Sequence, residues 1–418
     1  MKRILAILLA LSMTLALGAS LAQSDKTTLY FANYALLETN YTAYWEGVKT
    51  GFEAANPEYQ IEWITAPYAD IMTTAVTRIG AGEPVDLLFG ELDWVPTAQD
   101  YGMSIPATQI FDEEYLKGFY PAVLDAFKVD GDIYGLPMYI TPYILYYNTD
   151  IFGAAGIEAV PTTYDEMLAA SAKIDGMTTA DGNRIFPFGQ TTASVVISGS
   201  SLQAMIANFG GEVLSQDGQL SIDNEGFTQA ITMLKTLDDA GYLPQNAKLK
   251  DLRNLFALGQ LAMYYDQSWG FSGVKGINPD AVKFTASAPP LKGGQGDGKS
   301  ALQAASLIYT TKDEAKYEGI RKLTSYLLSE DVLAPYLVNT TPAYPATFAM
   351  SNVKAIAESP ILAGAASAVG NVMAIPPIPQ LADLNLELTA LAQAVTIGDE
   401  PVDTAIANFK TVAEGLLN

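Results

Sequence analysis

The sequence contains no cysteine and no histidine. Without cysteine the chain has no disulfide, no thiolate nucleophile and no thiolate metal ligand. Without histidine it lacks the commonest general base and the commonest transition-metal ligand of proteins. Any hydrolytic chemistry would therefore depend on carboxylates, lysine, serine or tyrosine, and the sequence predicts neither a metal nor another cofactor.

Positive charge is also scarce. The chain carries 46 Asp and Glu residues against 23 Lys and Arg residues, a formal charge of -23 at pH 7. Such acidity repels nucleic acids and anionic membrane surfaces, so we expect neither as a partner. Arginine, the residue that clamps phosphate or carboxylate ligands through two hydrogen bonds, occurs beyond Arg3 only as Arg78, Arg184, Arg253 and Arg321. Flat aromatic side chains are abundant instead, with 23 Tyr, 16 Phe and 4 Trp residues.

The N-terminal segment has the features of a secretory signal peptide. Residues 1–3 supply positive charge, residues 4–17 form an apolar run, and small residues at 19–22 precede Gln23. The run is too short for a spanning helix, and no later stretch is long and apolar enough to cross a membrane. We therefore expect residues 1–22 to be removed and the protein to work in the periplasm. Because lipid anchoring needs a cysteine at the cleavage site, we expect no lipid anchor.

The residues that follow alternate strand and helix patterns. Residues 28–32, 60–65 and 85–89 predict strands, while 45–55 and 71–79 have helical spacing. This β-α-β-α-β order predicts an α/β fold with a parallel sheet covered by helices. Ligands bind beyond the carboxyl ends of such strands, so the loops after these three strands form the candidate site.

Two of these loops carry an aromatic side chain close to carboxylates. Trp94 follows the third strand together with Glu91 and Asp93, and the first loop carries Tyr34 and Glu38. An aromatic plane beside carboxylates suits a ligand that has an apolar face and a rim of hydroxyl groups. A single Trp is as often a core residue, and that interpretation of Trp94 stays open.

Five segments occur in a characteristic order along the chain. Together they resemble the extracellular solute-binding proteins of carbohydrate ABC importers, the family 1 proteins that include maltose-binding protein. The resemblance covers nearly the whole chain after the signal peptide. The segments are residues 80–88 (GAGEPVDLL), residues 134–137 (YGLP) with 145–152 (LYYNTDIF), residues 155–157 (AGI) with 161–163 (PTT), residues 256–269 (FALGQLAMYYDQSW) and residues 376–381 (PPIPQL).

This resemblance implies a periplasmic-binding-protein-like fold of type II. Two α/β lobes would be joined by hinge strands, with the ligand held in the cleft between them. The hinge strands would lie near residues 139–142, 286–289 and 341–343. The implied boundaries are a signal peptide at 1–22, an N-terminal lobe of residues 23–139 plus 290–342, and a C-terminal lobe of residues 140–289 plus 343–418.

The resemblance also implies further ligand contacts. The family counterpart of Trp269 stacks on sugar, and Asp266 lies three residues before it. Tyr139 and Thr141 fall at the first hinge and would line the cleft floor, with packing of Tyr139 between the lobes as an equal alternative. Asn385 falls where maltose-binding proteins carry a stacking Trp, which implies a sugar that differs from maltodextrin or is smaller.

The predicted function is therefore sugar capture for import. A mono- to oligosaccharide would be bound by hinge closure and delivered to the permease subunits of an ABC transporter. The expected partners are the sugar and the permease, the expected state is a monomer, and no catalysis is expected.

Three other functions stay open. Carboxylates are plentiful enough for an exported glycoside hydrolase, and an acidic, aromatic-rich chain suits a polyamine carrier. Adjacent tyrosines such as Tyr146-Tyr147 and Tyr264-Tyr265 occur in ferric-ion binding proteins, although neighbouring strand residues point to opposite faces.

Residues 293–300 (GGQGDGKS) fit the phosphate-binding pattern G-x-x-x-x-G-K-S, but no buried strand precedes them, so we expect a flexible surface loop.

Overall fold

Two β-sheets of different size organise the protein. The computed structural model describes residues 26–417, so the predicted signal peptide lies outside the described residues. Within this range a six-stranded and a four-stranded sheet carry most of the strands, and two further sheets have two strands each. None of the described helices has the length and apolar composition needed to cross a membrane.

Strands and helices alternate along much of the chain. The strands are β1 (Thr27–Asn33), β2 (Tyr59–Ile64), β3 (Leu87–Glu91), β4 (Lys128–Val129), β5 (Asp132–Ile133), β6 (Leu136–Ile140), β7 (Tyr143–Asn148), β8 (Phe186–Gly189), β9 (Leu261–Gln267), β10 (Thr285–Ala288), β11 (Ser300–Ala301), β12 (Ala304–Tyr309), β13 (Tyr344–Pro345) and β14 (Val372–Met373). The helices are α1 (Thr42–Ala55), α2 (Ile71–Gly80), α3 (Trp94–Asp100), α4 (Glu113–Leu116), α5 (Pro121–Asp125), α6 (Thr149–Ala154), α7 (Tyr164–Ile174), α8 (Val196–Asn208), α9 (Glu225–Asp239), α10 (Leu249–Ala257), α11 (Gly270–Ile277), α12 (Tyr317–Leu327), α13 (Glu330–Pro335), α14 (Phe348–Ser351), α15 (Lys354–Ala357), α16 (Ala363–Ala368), α17 (Leu381–Thr396) and α18 (Val402–Leu417).

The six-stranded sheet begins as the sequence predicts. β1 lies between β2 and β3 and is parallel to both, and α1 and α2 connect the three strands. The predicted β-α-β-α-β unit is therefore confirmed. The other edge of β3 pairs antiparallel with β12, and β6 and β13 follow. Strands from much later in the chain thus complete this sheet.

The four-stranded sheet has the order β10-β7-β9-β8. β7 runs antiparallel to β9 and β10, whereas β8 is parallel to β9. All seven residues of β9 are buried. The helices α10 and α11 pack on β9 and contribute to this burial, while α16 packs on the neighbouring strands β7 and β10.

Buried apolar side chains form two clusters on opposite faces of the second sheet. One cluster extends from Trp45 of α1, which packs against Phe31 of the first sheet, to Tyr146 and Tyr264. The other contains Tyr265 and Phe188, and it includes residues of the C-terminal helices α17 and α18. Tyr264 and Tyr265 therefore face opposite cores, as the strand alternation predicts.

The chain passes between the two sheets at several points. It leaves the first sheet at Ile140 and enters the second at Tyr143. It returns between β10 and β12, where the short strand β11 pairs with β14. The Thr141 N–H donates to the Gln303 carbonyl at 2.7 Å, which joins two of these connections.

The glycine-rich segment 293–300 is a loop whose glycines allow close packing. A Cβ at Gly293 would lie 2.4 Å from the Phe209 ring, and one at Gly296 would lie 2.3 Å from the Phe209 carbonyl carbon. The Ser300 hydroxyl donates to the Tyr143 carbonyl at 2.6 Å. These glycines therefore let the loop approach the end of α8, which explains the pattern without a phosphate.

Candidate functional site

A cavity of about 1050 Å³, which we call the cleft, is lined from both sheets. Its walls come from the loops after β1 and β3, the first residues of β12, the start of α8, and residues after β9 and before α17. The structure brings together side chains that are far apart in the sequence. All predicted site residues except Asp266 line the cleft, namely Tyr34, Glu38, Glu91, Asp93, Trp94, Tyr139, Thr141, Trp269 and Asn385.

Strand register explains why the first and third loops meet. Asn33, at the end of β1, lies opposite Phe89 of β3 in the parallel ladder. The residues that follow leave the sheet at one edge, the usual ligand edge of α/β sheets. The Asn33 side-chain oxygen accepts the Ala35 N–H at 2.9 Å and begins the 3-10 turn that carries Tyr34.

A partly buried carboxyl group lies in this part of the cleft. The Tyr34 hydroxyl donates to Glu91 Oε1 at 2.7 Å. Burial raises the pKa of Glu91 to about 7; the hydrogen bond from Tyr34 lowers it, whereas Asp93 and Glu38 add to the increase. At neutral pH Glu91 is therefore protonated more readily than an exposed glutamate, so this position can offer a ligand either a carboxylate or a carboxylic acid.

Aromatic rings form the wall beside Glu91. The ring centroid of Tyr68 lies 4.9 Å from the ring centroid of Tyr34 and 5.1 Å from that of Trp94. A Cβ at Gly90 would lie 2.6 Å from the Trp94 ring, so glycine lets the indole fold over the end of β3. Trp94 is thus partly packed and also lines the cleft, which combines the two interpretations that the sequence left open.

Trp269 lies two residues after β9 and directly before α11. It is 36% exposed and lines the cleft. Asp266, predicted as a ligand contact, is fully buried and does not line the cleft. The physical reason is its ion pair with Arg253, whose guanidinium donates to both carboxylate oxygens at 2.7 and 2.8 Å. Its predicted contact with ligand is therefore corrected to a contact with Arg253, whose guanidinium lies over the Trp269 ring.

The floor of the cleft contains Tyr139 and Thr141. The Tyr139 ring lies 5.7 Å from that of Tyr336, so it packs against a neighbour and lines the cleft as well. Thr141 is 6% exposed. Asn385, on α17, accepts a hydrogen bond from Gln203 at 2.7 Å, which fixes its side chain against α8.

Several lining residues were missed by the sequence analysis. Tyr68 lies in the loop after β2, the second of the three loops that the sequence singled out, so its position was a usable signal. Tyr336 and Thr341 lie in and after a π-helical segment, Tyr336–Thr340, which has no sequence periodicity to reveal it. Gln303 lies directly before β12 and contacts Gln267 through their side-chain amides.

The cleft is acidic. Glu38, Glu91, Asp93 and Asp100 line it, and no Lys or Arg is among its lining residues in the described part of the chain. The arrangement offers hydrogen-bond acceptors and aromatic planes but no cationic partner for a phosphate or carboxylate. Across residues 26–417 there is also no grouping of three acidic residues suited to a metal ion.

The adjacent tyrosines lie away from the cleft. None of Tyr146, Tyr147, Tyr264 and Tyr265 is among its lining residues. The Tyr146 hydroxyl instead donates to the carbonyls of Gln267 and Ser268 at 3.1 and 2.8 Å. These pairs therefore support the strands rather than a metal site.

Two α/β halves around an open cleft define a class of protein, the type II periplasmic-binding-protein fold, which confirms the predicted fold class. Residues 48–364 match the bacterial extracellular solute-binding proteins, and the chain belongs to this family. The family is one of binding proteins, so the predicted class of function is confirmed at that level.

Individual relatives agree with this assignment. The chain is 25% identical over 324 residues to a binding protein of Brucella abortus, covering 77% of this chain and 76% of that protein. It is 22% identical to the galactooligosaccharide-binding protein of Bacillus subtilis, covering 88% and 86%. The structure of the sugar-binding protein MalE from Xanthomonas citri shares the fold, with 20% identity, coverage of 94% and 97%, and a TM-score of 0.78.

Proposed function

We propose that this protein captures a neutral sugar, from mono- to oligosaccharide, and delivers it to the permease of an ABC importer. The observation that carries this proposal is the convergence of aromatic planes and acidic acceptors on one cleft from both halves of the molecule. Sugar rings need both kinds of contact. The relatives whose names refer to sugars support the same ligand class.

In this proposal the cleft residues have separate roles. Trp269 and Trp94 stack on the apolar faces of the sugar, and Glu91, Asp93 and Glu38 accept hydrogen bonds from its hydroxyl groups. Tyr34, Tyr139, Thr141 and Asn385 complete the polar contacts. The absence of cationic lining residues within residues 26–417 disfavours phosphorylated or acidic sugars.

We further propose that the two halves are lobes that close on the ligand. The division predicted from the sequence is residues 23–139 plus 290–342 for one lobe and 140–289 plus 343–418 for the other. Tyr344 of β13 pairs with Ile140 of β6, so in our proposal residues 343–345 belong to the first lobe instead. Sugar then stabilises the closed form, because only that form contacts it from both sides.

The remaining parts of the proposal concern the cell. We propose a periplasmic monomer without a lipid anchor, which binds the permease in its closed form and catalyses no reaction. A glycoside hydrolase remains the alternative from another class, and a polyamine carrier the alternative among binding proteins, since an acidic aromatic cleft also suits an ammonium group.

A thermal-shift screen followed by calorimetry tests the proposal. Residues 23–418 are mixed with neutral mono-, di- and oligosaccharides, and separately with sn-glycerol 3-phosphate, spermidine and ferric citrate. We expect a rise in melting temperature with one group of neutral sugars, because a ligand that binds only the folded state stabilises it. Stabilisation by spermidine alone would favour the polyamine alternative, and release of sugar from a chromogenic glycoside would favour the hydrolase.

A further inference from the structure

Trp269 is an exposed aromatic plane on a connection between two elements. It follows β9 by two residues and directly precedes α11. A half-exposed indole has rotamer freedom that ligand binding must remove, and that loss reduces affinity. Contacts that restrict the indole before binding therefore increase affinity.

Arg253 covers one face of this indole. Its guanidinium carbon lies 4.6 Å from the Trp269 ring centroid, within the range of a cation–π contact. The Arg253 side chain is 15% exposed and is not among the lining residues of the cleft in the described part of the chain. The guanidinium therefore contacts the indole without forming part of the cleft wall.

Asp266 fixes the guanidinium in turn. Arg253 Nε donates to Oδ2 at 2.7 Å and Nη2 donates to Oδ1 at 2.8 Å, a planar two-point pair. The same carboxylate accepts the Gln267 N–H at 2.8 Å and the Tyr264 hydroxyl at 3.4 Å. Both oxygens are held, so the pair has one geometry. The pair is also net neutral, so it adds no net charge to the acidic cleft.

Two glycines of α11 make room for the pair. A Cβ at Gly270 would lie 2.1 Å from Asp266 Oδ2, and one at Gly273 would lie 3.2 Å from Arg253 Cδ. Residues three apart lie on the same face of a helix, so this face of α11 is bare where the pair packs. Gly276, one step further along, has nothing within 4 Å of such a Cβ. The need for glycine is therefore confined to the contact with Arg253 and Asp266.

We propose that Arg253 and Asp266 are positioning residues that hold the Trp269 indole in the orientation in which it stacks on the ligand. The effect on affinity rests on the proposed sugar-binding function. The fixed orientation of the indole is a property of the ligand-free protein and does not depend on that function.

The first experiment measures the orientation of the indole without ligand. The near-ultraviolet circular dichroism of the protein is compared with that of Trp269→Phe, and the difference isolates the Trp269 band. We expect this band in the native protein and its reduction by more than about half in the Arg253→Met, Asp266→Asn double variant. The two substitutions are combined so that neither partner is left as an unpaired buried charge. An unchanged band in the folded double variant overturns the proposal.

A matched control and a conservative variant make the result specific. The Arg184 guanidinium lies 4.7 Å above the Phe186 ring, away from the cleft, so Arg184→Met removes a similar contact and should leave the Trp269 band intact. Arg253→Lys keeps the charge but loses the planar two-point pair, so it should retain only part of the native Trp269 band. If the double variant does not fold, the Arg253→Lys band decides: a full native band contradicts the positioning role.

The second experiment measures affinity by calorimetry with the sugar that the screen identifies. We expect the double variant to bind about tenfold more weakly than the native protein, as the loss of one charge-supported contact predicts, and Arg184→Met to bind normally. Equal affinity of the double variant and the native protein contradicts the proposal. If no sugar binds at all, the proposed function fails, while the dichroism still tests the positioning role on its own.

Discussion

Glu91 makes the stability of the ligand-free protein depend on pH. Burial raises its pKa from 4.5 to about 7, with opposition from the Tyr34 hydrogen bond. A pKa that rises on folding stabilises the folded state while the group is protonated. This stabilisation is complete below about pH 4.5 and is lost as the pH rises through about 7. At about 1.4 kcal/mol per pKa unit the full loss is about 3 kcal/mol, and partial exposure of the side chain reduces it to between about 1 and about 3 kcal/mol.

Glu91→Gln tests this reasoning. Glutamine keeps an acceptor oxygen for the Tyr34 hydroxyl but cannot ionise. We expect the native protein to lose about 1 to 3 kcal/mol more unfolding free energy than the variant between about pH 4 and about pH 8. Urea denaturation, followed by Trp fluorescence at a series of pH values, measures both curves.

The difference between the two curves is the quantity that matters, because other carboxyl groups titrate in both proteins. The exposed Glu114 on α4 provides a control, and Glu114→Gln should follow the native curve. Parallel curves for the native protein and Glu91→Gln through the whole range would refute the assignment of a raised pKa to Glu91.

Three further predictions concern the cleft and its support. Trp269→Ala should weaken sugar binding by about 10- to 100-fold in calorimetry, as loss of an aromatic platform does, with an unfolding midpoint close to the native one; native affinity would remove this residue from the site. Gly270→Ala should lower the unfolding free energy in urea by about 2 kcal/mol or more because its Cβ would lie 2.1 Å from a buried carboxylate oxygen. Gly276→Ala on the same helix has open space and should be neutral or stabilising, so equal losses for both variants would contradict the packing argument. Tyr34→Phe removes the hydrogen bond that lowers the pKa of Glu91. In the same urea series, the pH at which Glu91 loses half of its stabilising effect, measured against Glu91→Gln in the Tyr34→Phe background, should therefore be higher than in the native background. An unchanged or lower midpoint would argue against that bond.

The predictable part of the site follows from regular structure. The strands that became β1 and β3 had clear patterns, and a parallel sheet brings the ends of neighbouring strands together. Tyr34, Glu91 and Trp94 could therefore be assigned to one edge from the sequence. Trp269 and Asn385 came from the family resemblance, because spacing alone cannot bring residues of the second sheet to that edge.

The unpredictable part depends on tertiary contacts. Asp266 was expected to contact the ligand because it lies three residues before Trp269 in a segment that resembles the family, but it is fully buried and Arg253 takes both of its carboxylate oxygens. Tyr336 lies in a π-helical segment without an amphipathic pattern. Neither the ion pair nor the irregular turn leaves a periodic signal in the sequence, so only the folded chain reveals them.

The late strands of the first sheet decide when the molecule can fold. β3 receives its second partner only from β12, and β6 lies between β12 and β13. A ribosome delivers the N-terminal strands first, so the nascent chain carries β3 with an open edge that other chains can pair with. Pairing between such distant segments is slow. A fragment that stops before Ala304 lacks β12 and β13 and cannot complete the sheet. The first half of this protein therefore reaches its final packing only when most of the polypeptide is present.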